Sequence, residues 1–123
     1  QTQKQLLENV SRSVRDFFDD LNEYNAAEEV IMMVFSEFGR RIKDNGNGTD
    51  HGSGGGTFLI GDRINGGFYD KYPSLAIEDQ LDGDMHFSHD FRSIYSTVLE
   101  QWLNLNPKAI VNGTFDQFQG VFV

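Results

Sequence analysis

The run Val30-Ile31-Met32-Met33-Val34-Phe35 is the stretch on which the reading of the fold turns. Six consecutive apolar residues, rich in β-formers and too short for a helix, predict a strand buried on both faces, as in a parallel sheet. Upstream, Leu6, Leu7, Val10, Val14, Phe17, Phe18 and Leu21 recur at helical intervals and predict an amphipathic helix from about Lys4 to Tyr24. A helix feeding a buried strand is half of a βαβ unit, which needs a preceding parallel strand. With Gln1 in place of an initiator Met, this leads to the expectation that residues 1–123 are a single portion of an α/β domain, truncated at its N-terminus.

Downstream, Ser36 to Gly56 reads as one long glycine-rich loop, a length that marks functional or disordered segments. Thr57-Phe58-Leu59-Ile60 predicts a second short buried strand, and Gly61 to Ser74 an irregular excursion. Leu75 to Met85 suits a short strand or hairpin, with Asp82-Gly83-Asp84 as a turn. Ser88 is placed to cap a helix, with Asp90 in its first turn. That helix carries Phe91, Ile94, Tyr95, Val98, Leu99, Trp102 and Leu103 on one broad face and ends near Asn104, before Pro107. The tail reads as irregular with a short helical turn. There is no internal repeat and no coiled-coil heptad pattern.

Composition narrows the function classes. The formal net charge of −9 opposes binding to phosphate backbones, so no nucleic-acid partner is expected. No apolar run approaches the roughly 20 residues of a membrane span. The absence of cysteine excludes disulfides and thiolate metal sites.

In open parallel sheets ligands sit beyond the carboxyl ends of strands. That rule selects Ser36-Glu37-Phe38-Gly39-Arg40-Arg41 and Thr49-Asp50-His51-Gly52. Glu37, Asp50 and His51 offer oxygen and nitrogen donors, a set that suits zinc or manganese better than calcium. Arg40 or Arg41 could grip an anionic substrate through paired N–H donors. Each residue also has a plain structural reading: Glu37 as a solvated or ion-paired carboxylate, the arginines as solvation of a strand exit, and the glycines as a flexible linker. The stretch Asp44 to Asp50 has the look of a calcium loop, but its Gly and Glu are out of register with the EF-hand. A second group, Asp82, Asp84, His86, His89 and Asp90, reads more simply as a turn and a helix start.

The ordered set Val34 to Arg41, Gly48-Thr49-Asp50-His51-Gly52, Phe58 to Gly61, Gly66-Gly67, Asp90 to Tyr95 and Val98-Leu99 resembles the C-terminal part of the bacterial domain-of-unknown-function family 1501, which belongs to the alkaline phosphatase and sulfatase superfamily. The resemblance implies a three-layer αβα fold with a mostly parallel sheet, and export from the cell. It also implies a hydrolase in which metals activate a Ser or Thr nucleophile against a small anionic ester. Residue by residue, Glu37 falls where relatives present an Asp after a strand, and His51 where they present a later His. The alternative matching treats Asp50-His51 as the relatives' Asp-His pair. Arg40 is the expected catalytic anion holder, and Glu37, Asp50 and His51 the expected metal ligands. Phe38 follows Glu37 where relatives carry His, and nothing matches the nucleophile segment.

Two functions follow as expectations: part of the metal site, but not the nucleophile, of a metal-dependent phosphatase- or sulfatase-like hydrolase, or a non-catalytic exported binding or structural protein. A homodimer through exposed sheet edges is expected of an open sheet fragment.

Overall fold

The computed structural model describes residues 2–123. Helix α1 spans Gln3–Glu23. Thr2 caps it: its side chain accepts from the Gln5 N–H at 3.3 Å, and the Gln5 side chain accepts from the Thr2 N–H at 2.9 Å. It ends where Asn25 turns to a positive φ of 53°. The predicted helix is therefore present, but no residue of it is buried. Val14, Phe18 and Leu21 are half-buried, whereas Leu6, Leu7, Val10 and Phe17 face outward.

Four short strands follow: β1 (Met32–Val34), β2 (Gly39–Asp44), β3 (Thr49–Gly52) and β4 (Phe58–Ile60). They form two separate antiparallel pairs. β1 pairs with β4 in the register Met32 to Ile60, Met33 to Leu59 and Val34 to Phe58. β2 pairs with β3, with Gly39 opposite Gly52 and Arg40 opposite His51. The expected mostly parallel sheet and three-layer αβα fold are therefore overturned. A parallel pair needs a crossover of a dozen or more residues, usually helical. The segment between β1 and β4 contains a hairpin instead, which brings the chain back antiparallel. The apolar run also stops short of double-sided burial: Phe35 is 56% exposed and its sheet neighbour Phe58 is 64% exposed.

Residues 36–56, expected as a single loop, hold the β2–β3 hairpin. Its turn is made by side chains. Asp44 accepts from the Gly46 N–H, Asn45 from the Asn47 N–H at 2.9 Å, and Asp50 accepts from the Asn45 amide at 2.7 Å. Gly46 takes a φ of 95°, which favours glycine. The resemblance to a calcium loop thus resolves into turn chemistry.

Helix α2 (Phe91–Thr97) continues as one π-helical turn, Val98–Trp102, before Asn104 ends it at a φ of 53°. Its cap is Asp90 rather than Ser88: the Asp90 carboxylate accepts from the Arg92 N–H at 2.9 Å and holds the Arg92 guanidinium at 2.7 Å. The small core lies here. Ser93, Ser96 and Thr97 are buried beside Val111 and Val121. The Thr97 hydroxyl donates to the Ser93 carbonyl at 2.8 Å and accepts from the Phe118 N–H at 3.0 Å, tying the tail to the helix. Trp102 stacks on Phe122, and Tyr95 meets Phe35 and Phe91 edge-on.

Two outcomes test this account. Thr97→Val keeps the shape but strands the Phe118 N–H, so urea unfolding should show a loss of about 1–3 kcal/mol, with Thr97→Ser much closer to the parent. The Arg92 guanidinium, with the Arg92 N–H, lowers the Asp90 pKa from 3.8 to about 2. A depressed carboxylate stabilises the fold fully above its unfolded value, and the contribution fades as pH falls through the folded value. The stability advantage of the parent over Asp90→Asn should therefore shrink between pH 3.8 and about 2, as read by circular dichroism.

Candidate functional site

Three side chains meet on one face of the β2–β3 hairpin. The Phe38 and His51 rings stack at 3.5 Å with planes 12° apart. The Arg40 guanidinium lies over the Phe38 ring, 5.0 Å from its centre. Strand geometry explains the meeting. Residues two apart on an extended chain share a face, which aligns Phe38 with Arg40, and the register sets His51 opposite Arg40. Arg40 donates one N–H to the Thr49 carbonyl at 2.8 Å. A guanidinium carries five such donors, so most of this one remains available to an anion. Arg40 and His51 are exposed and Phe38 is half-buried, which makes the site an open surface.

The same alternation separates the other expected site residues. Asp50 neighbours His51 on β3, so the two side chains leave opposite faces, and Asp50 is bonded to Asn45. Arg41 likewise leaves the face opposite Arg40. It reaches the Asp82 carbonyl at 3.4 Å and the Asp84 carboxylate at 4.0 Å. Arg41 is thus a tether of the hairpin to the 82–84 turn, while Arg40 is the free cation. Glu37 stands exposed one residue before Phe38 and makes no hydrogen bond or ion pair among the described residues. Also among the described residues, no group of three or more His, Asp or Glu gathers as a ready metal cage. The residues present fit one nitrogen and one oxygen donor, His51 and Glu37.

The sequence reading missed Phe38 as the platform of the stack. Its i, i+2 relation to Arg40 was the available signal, hidden because residues 36–56 were read as loop. It also missed Asp70. Ser88 donates to Asp70, and His89 Nε2 lies 3.3 Å from the same carboxylate. The Ser88 hydrogen bond, helped by the Lys71 N–H and His89, holds the Asp70 pKa below its ordinary value. This is not a nucleophilic triad, because there the imidazole stands between hydroxyl and carboxylate. Here the carboxylate is in the middle, so His89 is not bonded to the Ser88 oxygen it would have to deprotonate. Asp82-Gly83 forms a turn, with Leu81 bridged to Asp84.

The glycines hold the hairpin in place. A Cβ on Gly39 would overlap the Gly54 carbonyl, and one on Gly52 would meet the Arg40 and Arg41 backbone at 2.8 Å and the Asp84 carboxylate closer still. Gly39→Ala should therefore displace the hairpin and return the His51 ring proton shifts to values of an unstacked imidazole. Phe38→Ala should do so with the hairpin intact. A His51 spectrum unchanged in Phe38→Ala would refute the stack.

Residues 1–121 match the family model described as Protein of unknown function (DUF1501). No curated protein and no solved structure matches the chain. A match over nearly its whole length means that the chain belongs to the DUF1501 family.

Proposed function

We propose that the Arg40–Phe38–His51 face is this chain's contribution to a metal-dependent phosphatase- or sulfatase-like ester hydrolase, one that supplies part of the metal site but not the nucleophile. The observation that supports the reading is the stack itself. Phe38 pins a permanent cation and an imidazole side by side while leaving their hydrogen-bonding edges open. Arg40 holds a small anionic ester by charge-assisted bonds. His51 and Glu37 would hold zinc or manganese, and of the two carboxylates considered Glu37 is kept because Asp50 serves the hairpin turn. A bound divalent ion would polarise an ester oxygen as a Lewis acid. Membership of the alkaline phosphatase and sulfatase superfamily, and export from the cell, belong to this same proposal.

A second reading, a non-catalytic binding protein that holds an anion on the same face, draws on the two-donor limit described above. One experiment separates them. The chain has three histidines, His51, His86 and His89. Their imidazole resonances should be followed by NMR while zinc chloride, then inorganic phosphate, is added. The hydrolase reading expects zinc to move His51, with affinity reduced about tenfold in Glu37→Gln. Arg40→Ala should weaken phosphate about tenfold or more, the worth of a hydrogen bond to a charged group. Zinc that moves only His86 and His89 would sink the metal proposal. Phosphate binding without any zinc effect would leave the binding reading standing.

A further inference from the structure

α1 is 21 residues long, about 31 Å, and buries none of them. Its apolar side chains nevertheless form a continuous stripe. Leu7, Val10, Val14, Phe17 and Leu21 alternate at three and four residues, with Leu6 and Phe18 flanking them. The rest of the chain takes only one side of this stripe: Val14 and Phe18 line a shallow groove with Ile60, Gly61 and Asp62. Leu6 stays 49% exposed, Leu7 62%, Val10 53% and Phe17 41%. Clustered exposure of this kind marks an interaction surface.

We propose that α1 pairs with α1 of a second copy of this chain, antiparallel across a twofold axis. Two observations select this occupant. The first is charge. The half of α1 up to Arg15 carries Lys4, Arg12 and Arg15 against Glu8 alone, and the half from Asp16 carries Asp16, Asp19, Asp20 and Glu23 with no cation. Four carboxylates at the C-terminal end oppose the dipole of their own helix. A parallel copy would set like beside like. An antiparallel copy sets the basic half beside the acidic half and the two dipoles in opposition. Centred on the exposed stripe, Leu6 and Leu7 meet the partner's Phe17. Lys4 then lies level with the partner's Asp19, and Glu8 with the partner's Arg15. An isologous contact of this type closes as a dimer.

The second observation is area. The chain exposes 9410 Å², whereas a folded monomer of 14.0 kDa exposes roughly 6,700 Å². A standard interface removes about 800 Å² from each partner, well within the difference of roughly 2,700 Å². The pairing differs from a dimer through sheet edges, for which β1 and β4 offer three residues each.

Sedimentation equilibrium on the full chain, up to about 100 µM, tests this. The expected mass is twice the 14.0 kDa of one chain. Val10→Asp should weaken association about thirtyfold or more, the scale of a central interface residue, with α1 helicity checked by circular dichroism. Charge reversal guards against a folding artefact. Glu8→Lys and Arg15→Glu should each associate more weakly alone, and mixing the two variants should restore a heterodimer. The chain has no cysteine, so orientation can be read from single additions. Leu7→Cys should cross-link to Phe17→Cys and not to itself. A single-chain mass throughout, an unchanged mass in Val10→Asp, failure of the mixed pair to recover, or self-linking of Leu7→Cys would each overturn the proposal.

Discussion

The close approach of backbone at Gly39, Gly52 and Gly54 is the constraint on which the candidate site depends. Gly39 sits under the Gly54 carbonyl, Gly52 under the Asp84 carboxylate, and Gly54 against Met85, each without room for a side chain. Those contacts press the β2–β3 hairpin onto the 81–85 segment. The Arg41 tether and the hydrogen bond from the Ser53 hydroxyl to the Met85 carbonyl at 3.0 Å hold it there. With so little apolar burial, only Ala27, Val111 and Val121 among hydrophobic residues, the chain relies on close backbone packing and polar ties more than on a large core. The site is rigid where these ties converge and open on the face they leave free.

What the sequence disclosed follows from what each signal measures. The 3.6-residue period of Leu6 to Leu21 and the broad face from Phe91 to Leu103 report local conformation, and both helices stand where that period puts them. The apolar runs at Val30–Phe35 and Thr57–Ile60 likewise announced β1 and β4. A run of apolar residues says nothing about the direction of the neighbouring strand. The direction is set by the connection, and here the connection was misread. Arg40, Arg41 and Lys43 make β2 look like solvated loop, and glycines frame both ends of β3. A polar hairpin held by side-chain turns and glycine contacts leaves almost no hydrophobic periodicity to find.

The same blindness explains the partial reading of the site. Residue types singled out Arg40 and His51, which the register places opposite each other. They could not rank Arg40 against Arg41 or Asp50 against its neighbour, because that ranking is a statement about faces. Likewise, the stripe on α1 was legible as amphipathic, but a period reports that a face is apolar and not what covers it.

Once β2 and β3 are paired, alternation divides the labour without further assumptions. One face carries Arg40 and His51 with Phe38 beneath them; the other carries Arg41 and Asp50, each engaged in holding the hairpin. A cation available to an anion and a cation spent on structure are thus adjacent residues. The net charge of −9 sharpens the consequence. The field of the whole chain repels anions at long range, and it is screened beyond a Debye length of about 8 Å in physiological salt. Any anion held at Arg40 is therefore held by short, directional N–H contacts rather than by attraction from a distance. Such contacts need the guanidinium plane to be fixed, and the Phe38 ring and the bond to the Thr49 carbonyl fix it.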